Sequence, residues 1–158
     1  MDARLNLFGS PVVAKIMKNF IAAGHLLRET DLPYSTLELV NIRASQINGC
    51  GVCIDIHTKE LAHAGESATR INLVATWRES TVFTEAERAA LELAEQGTRM
   101  ADAAGGVTDE VWENAAKHYS EAQLAALVCA ISVINAFNRG NVMVKQPANG
   151  DYKVGQLG

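Results

Sequence analysis

The sequence predicts an all-α protein, a bundle of about six or seven helices, and three observations carry that prediction. Polar pairs with capping-box spacing stand before apolar stretches of helical period at Ser35/Glu38, Thr84/Glu87 and Ser120/Gln123. Gly9-Ser10-Pro11, Asp31-Leu32-Pro33, Gly65 and Gly105-Gly106 punctuate the chain between helical stretches. No segment has the strict apolar–polar alternation of a half-buried strand.

The elements follow in order. Gly9-Ser10-Pro11 sets off a first helix to about Arg28, because proline suits the first helical position. Asp31-Leu32-Pro33 then breaks the chain, and the Ser35/Glu38 pair starts a second helix. A third runs from near Gly49 to about Ala64 and is closed by Gly65. Short helices fit Ser67 to Trp77 and Thr108 to His118, with Gly105-Gly106 as a loop, and Thr84/Glu87 opens a further helix. The run from Gln123 to Phe137 is apolar nearly all round and reads as a central buried helix, too short for a membrane span. Asn149-Gly150-Asp151 opens a polar tail expected to be poorly ordered.

At 158 residues the chain is expected to form one domain, residues 1–158, large enough to bury a core without disulfide or metal staples. A net charge of −4 provides no basic footprint, which argues against nucleic acid as a partner. Residues 1–10 lack the basic-then-apolar layout of a signal peptide. No uninterrupted apolar stretch approaches the roughly 20 residues a membrane span needs. A cytoplasmic protein without a membrane partner is therefore expected. Leu5, Leu7, Phe8, Val12, Val13 and Ile16 crowd an N-terminal arm of the kind that packs on a neighbouring subunit, so a homo-oligomer is expected.

Three cysteines are too few for a secreted disulfide scaffold, and Cys50 and Cys53 would close a loop too short to contribute much chain entropy. Their spacing points to chemistry. On one helix, Cys53 lies about 300° and His57 about 340° from Cys50, so all three share a narrow face. The first turn of a helix favours a thiolate, and a histidine one turn beyond Cys53 can take its proton. The helix end favours Cys50 as the attacking thiol, whereas the four-residue spacing of His57 favours Cys53. The spacing decides for Cys53, with Cys50 resolving. On the preceding helix Glu38, Asn41 and Ser45 form a polar strip, from which Glu38 can orient His57 or merely cap its own helix. Cys129, in the late apolar run, is expected to be a small buried hydrophobe. His25, His63 and His118 are expected to be surface or structural, and Asn135, Asn138 and Arg139 to satisfy carbonyls or make a subunit contact.

These residues carry a resemblance. Glu38, Cys50-Gly51-Val52-Cys53, His57-Thr58-Lys59-Glu60 and Ala64-Gly65-Glu66 resemble the signature of the alkylhydroperoxidase D and carboxymuconolactone decarboxylase superfamily. The segments Trp77 to Ser80, Phe83 to Arg88 and Asn135 to Arg139 are similar to its short, single-core members. The resemblance implies an all-helical fold assembling as trimers or hexamers. It also implies a hydroperoxide-reducing cycle without metal or organic cofactor, with the thiols re-reduced by a protein or small-molecule dithiol. Carried over by position, Cys53 attacks peroxide, Cys50 resolves, His57 accepts the proton and Glu38 steers it. The chain departs at Val52, where the best-studied alkylhydroperoxidase D proteins carry histidine.

Three other functions compete. One is acid–base chemistry on a lactone acid, as in the decarboxylase branch, which does not depend on a C-x-x-C pair. Another is a non-enzymatic oligomeric binding module with a vestigial thiol pair. The third is a zinc site on Cys50, Cys53, His57 and His63, which a continuous helix disfavours by turning His63 well away from the other three.

Overall fold

The computed structural model describes residues 2–103 and 105–156. Among them every regular element is helical: α1 Pro11–Leu27, α2 Tyr34–Asn48, α3 Gly51–His63, α4 Ala68–Leu73, a 3₁₀ segment Val74–Glu79, α5 Glu85–Thr98, α6 Asp109–Ala116 and α7 Glu121–Met143. The all-α prediction holds, and two of the three predicted capping boxes are present. Thr84 Oγ1 accepts the Glu87 N–H at 3.2 Å while Glu87 returns a bond to the Thr84 N–H at 2.8 Å. Ser120 and Gln123 repeat the exchange at 3.3 and 3.0 Å.

The third box does not form. Helix α2 begins one residue earlier, at Tyr34, with Pro33 as its N-cap and no side-chain cap bond. Pro33 has φ −54, already near helical, and its carbonyl accepts the Leu37 N–H at 3.0 Å, so Ser35 lies inside the first turn. That leaves the Glu38 carboxylate for another partner.

Helix α2 is the hub. It buries Thr36 through Ile42, then Ala44 and Ser45, and packs against α3, α5 and α7. One apolar cluster joins Leu37 and Val40 to Leu93, Leu127 and Ile131, and a second joins Leu39 and Ile42 to Leu61, Val74, Trp77 and Leu91. Helices α5 and α7 approach closely at Gly97, where a Cβ would meet the Ile131 side chain at 3.1 Å.

The sequence places α7 as the all-round buried helix, and the structure gives that position to α2. Helix α7 extends over 23 residues and by length and composition is apolar enough to cross a bilayer, yet only 44% of its apolar window is buried. One side carries Leu127, Ala130, Ile134 and Asn138 into the core, while Val128, Cys129, Val142 and Met143 face outward. Cys129 is therefore an exposed free thiol and not the buried hydrophobe expected, because the described residues leave that face of α7 uncovered. The polar tail also departs from expectation. Lys59 Nζ bonds the Gly150 and Tyr152 carbonyls at 2.7 and 3.3 Å, strapping the tail across α3.

Trp77 and the 3₁₀ segment are tied to α5 through buried Glu95. Its carboxylate accepts from Trp77 Nε1 at 2.9 Å, from Arg43 Nε at 2.6 Å and from Arg78. Burial alone would raise its pKa, but the Trp77 and Arg78 bonds and the Arg43 charge outweigh burial and hold it below the usual carboxylate range. A carboxyl with a lower pKa folded than unfolded stabilises the fold above the unfolded pKa, and loses that contribution as pH falls through the folded value. Glu95→Gln is expected to destabilise the protein by roughly 2–3 kcal/mol at neutral pH, since it leaves Arg43 half-compensated. Urea unfolding of both proteins between about pH 7 and pH 3 should show the gap narrowing as the pH falls below about 4.

Candidate active site

Helices α2 and α3 are joined by only Gly49 and Cys50. Gly49 adopts φ +69, a left-handed turn that costs glycine nothing, and the Cys50 N–H returns to the Ser45 carbonyl at 2.9 Å. The reversal lays α3 antiparallel to α2, and Cys50 becomes the N-cap of α3. Cys50 and Cys53 are joined by a disulfide with a Cα–Cα separation of 5.4 Å, packed among Ala44, Val52 and Ile134.

One turn beyond Cys53, His57 Nδ1 lies 2.6 Å from Glu38 Oε2. The Glu38 side chain is 1% exposed and the His57 side chain 13%, so the pair is nearly shut off from solvent. The alternative of a capping carboxylate is not what the geometry shows. A bond through Nδ1 leaves Nε2 of the same ring for a second proton partner, the arrangement in which a carboxylate fixes the orientation of a histidine base. All four residues singled out in the sequence thus lie at the α2–α3 contact.

Cys53, His57 and Glu38 line a cavity of about 240 Å³, and Cys50 does not. Met17 and Ile21 of α1, Val52 and Ile56 of α3 and Phe137 of α7 also line it. Its walls are largely apolar. His25, read from the sequence as surface or structural, is also in that wall.

Sequence reasoning also missed Asn141. Its Nδ2 donates to Cys53 Sγ at 3.4 Å from the far end of α7. A neutral donor there stabilises negative charge on that sulfur. The signal available was the position of Asn141 one helical turn after Asn138 on the same side of α7, but nothing local indicated that this end of the helix reaches α3. Asn135 and Asn138 accept from Asn48 Nδ2, both at 2.9 Å, and Asn138 donates to Ser45 Oγ at 3.0 Å. Those bonds clamp the end of α2 onto α7, a packing role outside the cavity.

Behind Glu38 stands a second carboxylate. Arg28 lies 3.9 Å from Glu38 and 3.6 Å from Glu60 and stacks over the Tyr34 ring. Glu60 accepts from Tyr34 at 3.2 Å, from the Gly155 N–H at 3.1 Å and from Tyr152. Burial alone raises the Glu60 pKa, but the Tyr152 and Gly155 bonds with the Arg28 charge more than offset it, and the net displacement is downward. The Tyr34 phenol is pushed well above its ordinary value, by burial first and then by Glu38. Among the described residues no three histidines, cysteines or carboxylates come together as a metal-binding group, and His63 is exposed at the last turn of α3.

Comparison with known proteins places this site in a family. A family model described as the carboxymuconolactone decarboxylase family matches residues 14–96, a span that holds Glu38, Cys50, Cys53 and His57 and excludes Asn141. The uncharacterized protein YdfG of Bacillus subtilis is 38% identical over 112 residues, covering 71% of this chain and 75% of that protein. An alkyl hydroperoxide reductase AhpD of Rhodospirillum centenum is 32% identical over 68 residues, 43% of this chain and 26% of that one. Among solved structures, a protein of unknown function from Agrobacterium tumefaciens, described as a putative antioxidant defence protein AhpD, superposes with a TM-score of 0.85 at 35% identity. That match covers 92% of this chain and 97% of the other.

The Asn141 contact is directly testable. In the reduced protein, Asn141→Leu is expected to lower the thiolate fraction of Cys53 near neutral pH and slow its alkylation by about three- to tenfold, the worth of one hydrogen bond to a charged group. Iodoacetamide kinetics resolved by peptide mass spectrometry measure this, with the exposed Cys129 as an internal reference whose rate stays the same.

Proposed function

The chain belongs to the carboxymuconolactone decarboxylase family, and we propose that it is a thiol peroxidase reducing hydroperoxides through a Cys50–Cys53 dithiol/disulfide cycle. The observation that carries this reading is the placement of Cys53, bonded to Cys50, in the wall of an apolar cavity beside the Glu38–His57 pair. A relative named as an alkyl hydroperoxide reductase supports it.

The chemistry balances on the thiols alone. His57 takes the Cys53 proton, and the thiolate attacks the outer oxygen of the hydroperoxide. The O–O bond breaks, the oxygen stays on Cys53 as a sulfenic acid, and the leaving alkoxide takes the proton from His57 to depart as an alcohol. Cys50 then attacks the Cys53 sulfur, an S–S bond forms and water leaves. A dithiol reductant, protein or small molecule, returns both electrons. Cys53 attacks in this reading because it faces the cavity and Asn141, whereas Cys50 lies behind it. Val52 stands between the cysteines, so the proton passes through His57 and Glu38.

Self-association belongs to the same proposal. Leu5, Phe8, Val12 and Ile16 on the arm and α1, and Val128, Val142 and Met143 on α7, are exposed apolar side chains of the kind a subunit contact covers. A trimer or hexamer would cover them.

Peroxide consumption with a dithiol reductant is expected for the wild type and absent in Cys53→Ser. Cys50→Ser should form a sulfenic acid on Cys53, trappable by dimedone. Equal labelling of Cys50 in the Cys53→Ser variant would reverse the two roles, and no peroxide consumption by any form would remove the peroxidase. Sedimentation of the same wild-type preparation is expected to show a trimer or hexamer, and a 17 kDa species alone would remove the assembly.

A further inference from the structure

Two neighbouring residues of α1 are not explained by the peroxidase cycle. Gly24 lies inside a helix, where glycine is unfavourable relative to alanine, yet neither a turn nor a close approach requires it. A Cβ at Gly24 would meet nothing within 4 Å, and Gly24 lines the cavity. The residue therefore keeps space open on the cavity side of α1. Beside it, His25 Nε2 is shielded from solvent and finds no hydrogen-bond partner among the described residues. A buried polar atom without a partner is costly and rare in a folded protein, and because the His25 side chain lines the cavity, a turn of its ring onto a ligand there would give Nε2 the partner it lacks.

The electrostatics select what that ligand carries. Arg28, the nearby cation, is already met by both Glu38 and Glu60, so an anionic group would find no unpaired positive charge and would face the Glu38 carboxylate. A neutral group is favoured. Among neutral groups a hydroxyl both donates and accepts, and so bonds His25 Nε2 in either tautomer of the ring.

We propose that Gly24 and His25 form a specificity subsite for an apolar organic hydroperoxide bearing a hydroxyl group, with His25 Nε2 bonding the hydroxyl and the space beside Gly24 taking the body that carries it. The peroxide end reaches Cys53 in the same cavity. This rests on the peroxidase reading of Cys53. The covalent step is unchanged: oxygen passes to the sulfur, and the organic product leaves as the corresponding diol.

The test uses cumene hydroperoxide, its para-hydroxymethyl derivative and hydrogen peroxide as substrates for the full chain with a dithiol reductant. The unreactive para-hydroxymethyl cumyl alcohol serves as a binding probe by ligand-observed NMR. Wild type is expected to prefer the hydroxylated hydroperoxide to the plain one by about three- to tenfold in kcat/KM. His25→Phe should abolish that ratio and His25→Gln should restore part of it, which a purely structural role for the ring would not do. Gly24→Leu should lower the ratio of organic hydroperoxide to hydrogen peroxide turnover by about tenfold or more, because the added side chain occupies the space. Helical content by circular dichroism identifies a variant that fails to fold, and the NMR titration of wild type alone still decides the matter. Binding of the hydroxylated alcohol no tighter than cumyl alcohol would overturn the subsite. Turnover of hydroperoxides with ratios unmoved by either variant would also overturn it while leaving the peroxidase intact. Preferential binding of the hydroxylated alcohol, weakened by both variants, in a protein that turns over no hydroperoxide would sustain the subsite and remove the peroxidase.

Discussion

Glu38 is a carboxylate almost without access to water, and such a group must be paired and hydrogen-bonded or it is not tolerated. Its two oxygens divide the task. Oε2 meets His57 and Oε1 faces Arg28, which in turn faces Glu60, and Glu60 gathers Tyr34, Tyr152 and the Gly155 amide. The carboxylate bonded to the histidine is thus embedded in a relay of alternating charge from α3 through α1 to the tail. Removing any one member leaves its neighbours with an uncompensated charge, so the positions of α1 and the C-terminal strap are linked to the state of His57.

The geometry that allows this is the two-residue reversal at Gly49 and Cys50. It makes α3 return along α2, so that a residue in the second turn of α2 stands opposite a residue in the second turn of α3. Apolar burial supplies the force that holds the reversal closed, since Leu39, Ile42 and Leu61 pack in one cluster directly behind the site. The Asn48 bridge to Asn135 and Asn138 fixes the end of α2 against α7 and so brings Asn141 to Cys53. The two cysteines, chemically alike, end in different surroundings for this reason: one is the N-cap of α3, behind the site, and the other faces a cavity, a histidine and an amide donor.

How much of this was legible in the sequence depended on range. The boxes at Thr84/Glu87 and Ser120/Gln123 are local, and residues within one turn decide them. The shared face of Cys50, Cys53 and His57 follows from helical rotation alone, and the polar strip on α2 placed Glu38 near that face. At Ser35 the local signal was overridden by Pro33, whose fixed φ starts the helix first. Burial was least legible. Apolar composition marks a helix as coverable, but which side of α7 its own chain covers depends on where five other helices lie, and so Cys129 turned out exposed. Asn141, Arg28 and His25 reach the site from elements 88, 10 and, across the cavity, many residues away in sequence from their neighbours, a separation no local pattern spans.

The central claim is that Glu38 acts through His57 on Cys53. Its most direct test is the single-turnover rate of dithiol oxidation by hydroperoxide, measured by stopped flow across pH for wild type and Glu38→Gln. The account predicts a deficit of about tenfold or more near neutral pH that closes in alkali, where the thiol ionises without a base. A deficit of the same size at every pH, or none at all, would contradict it.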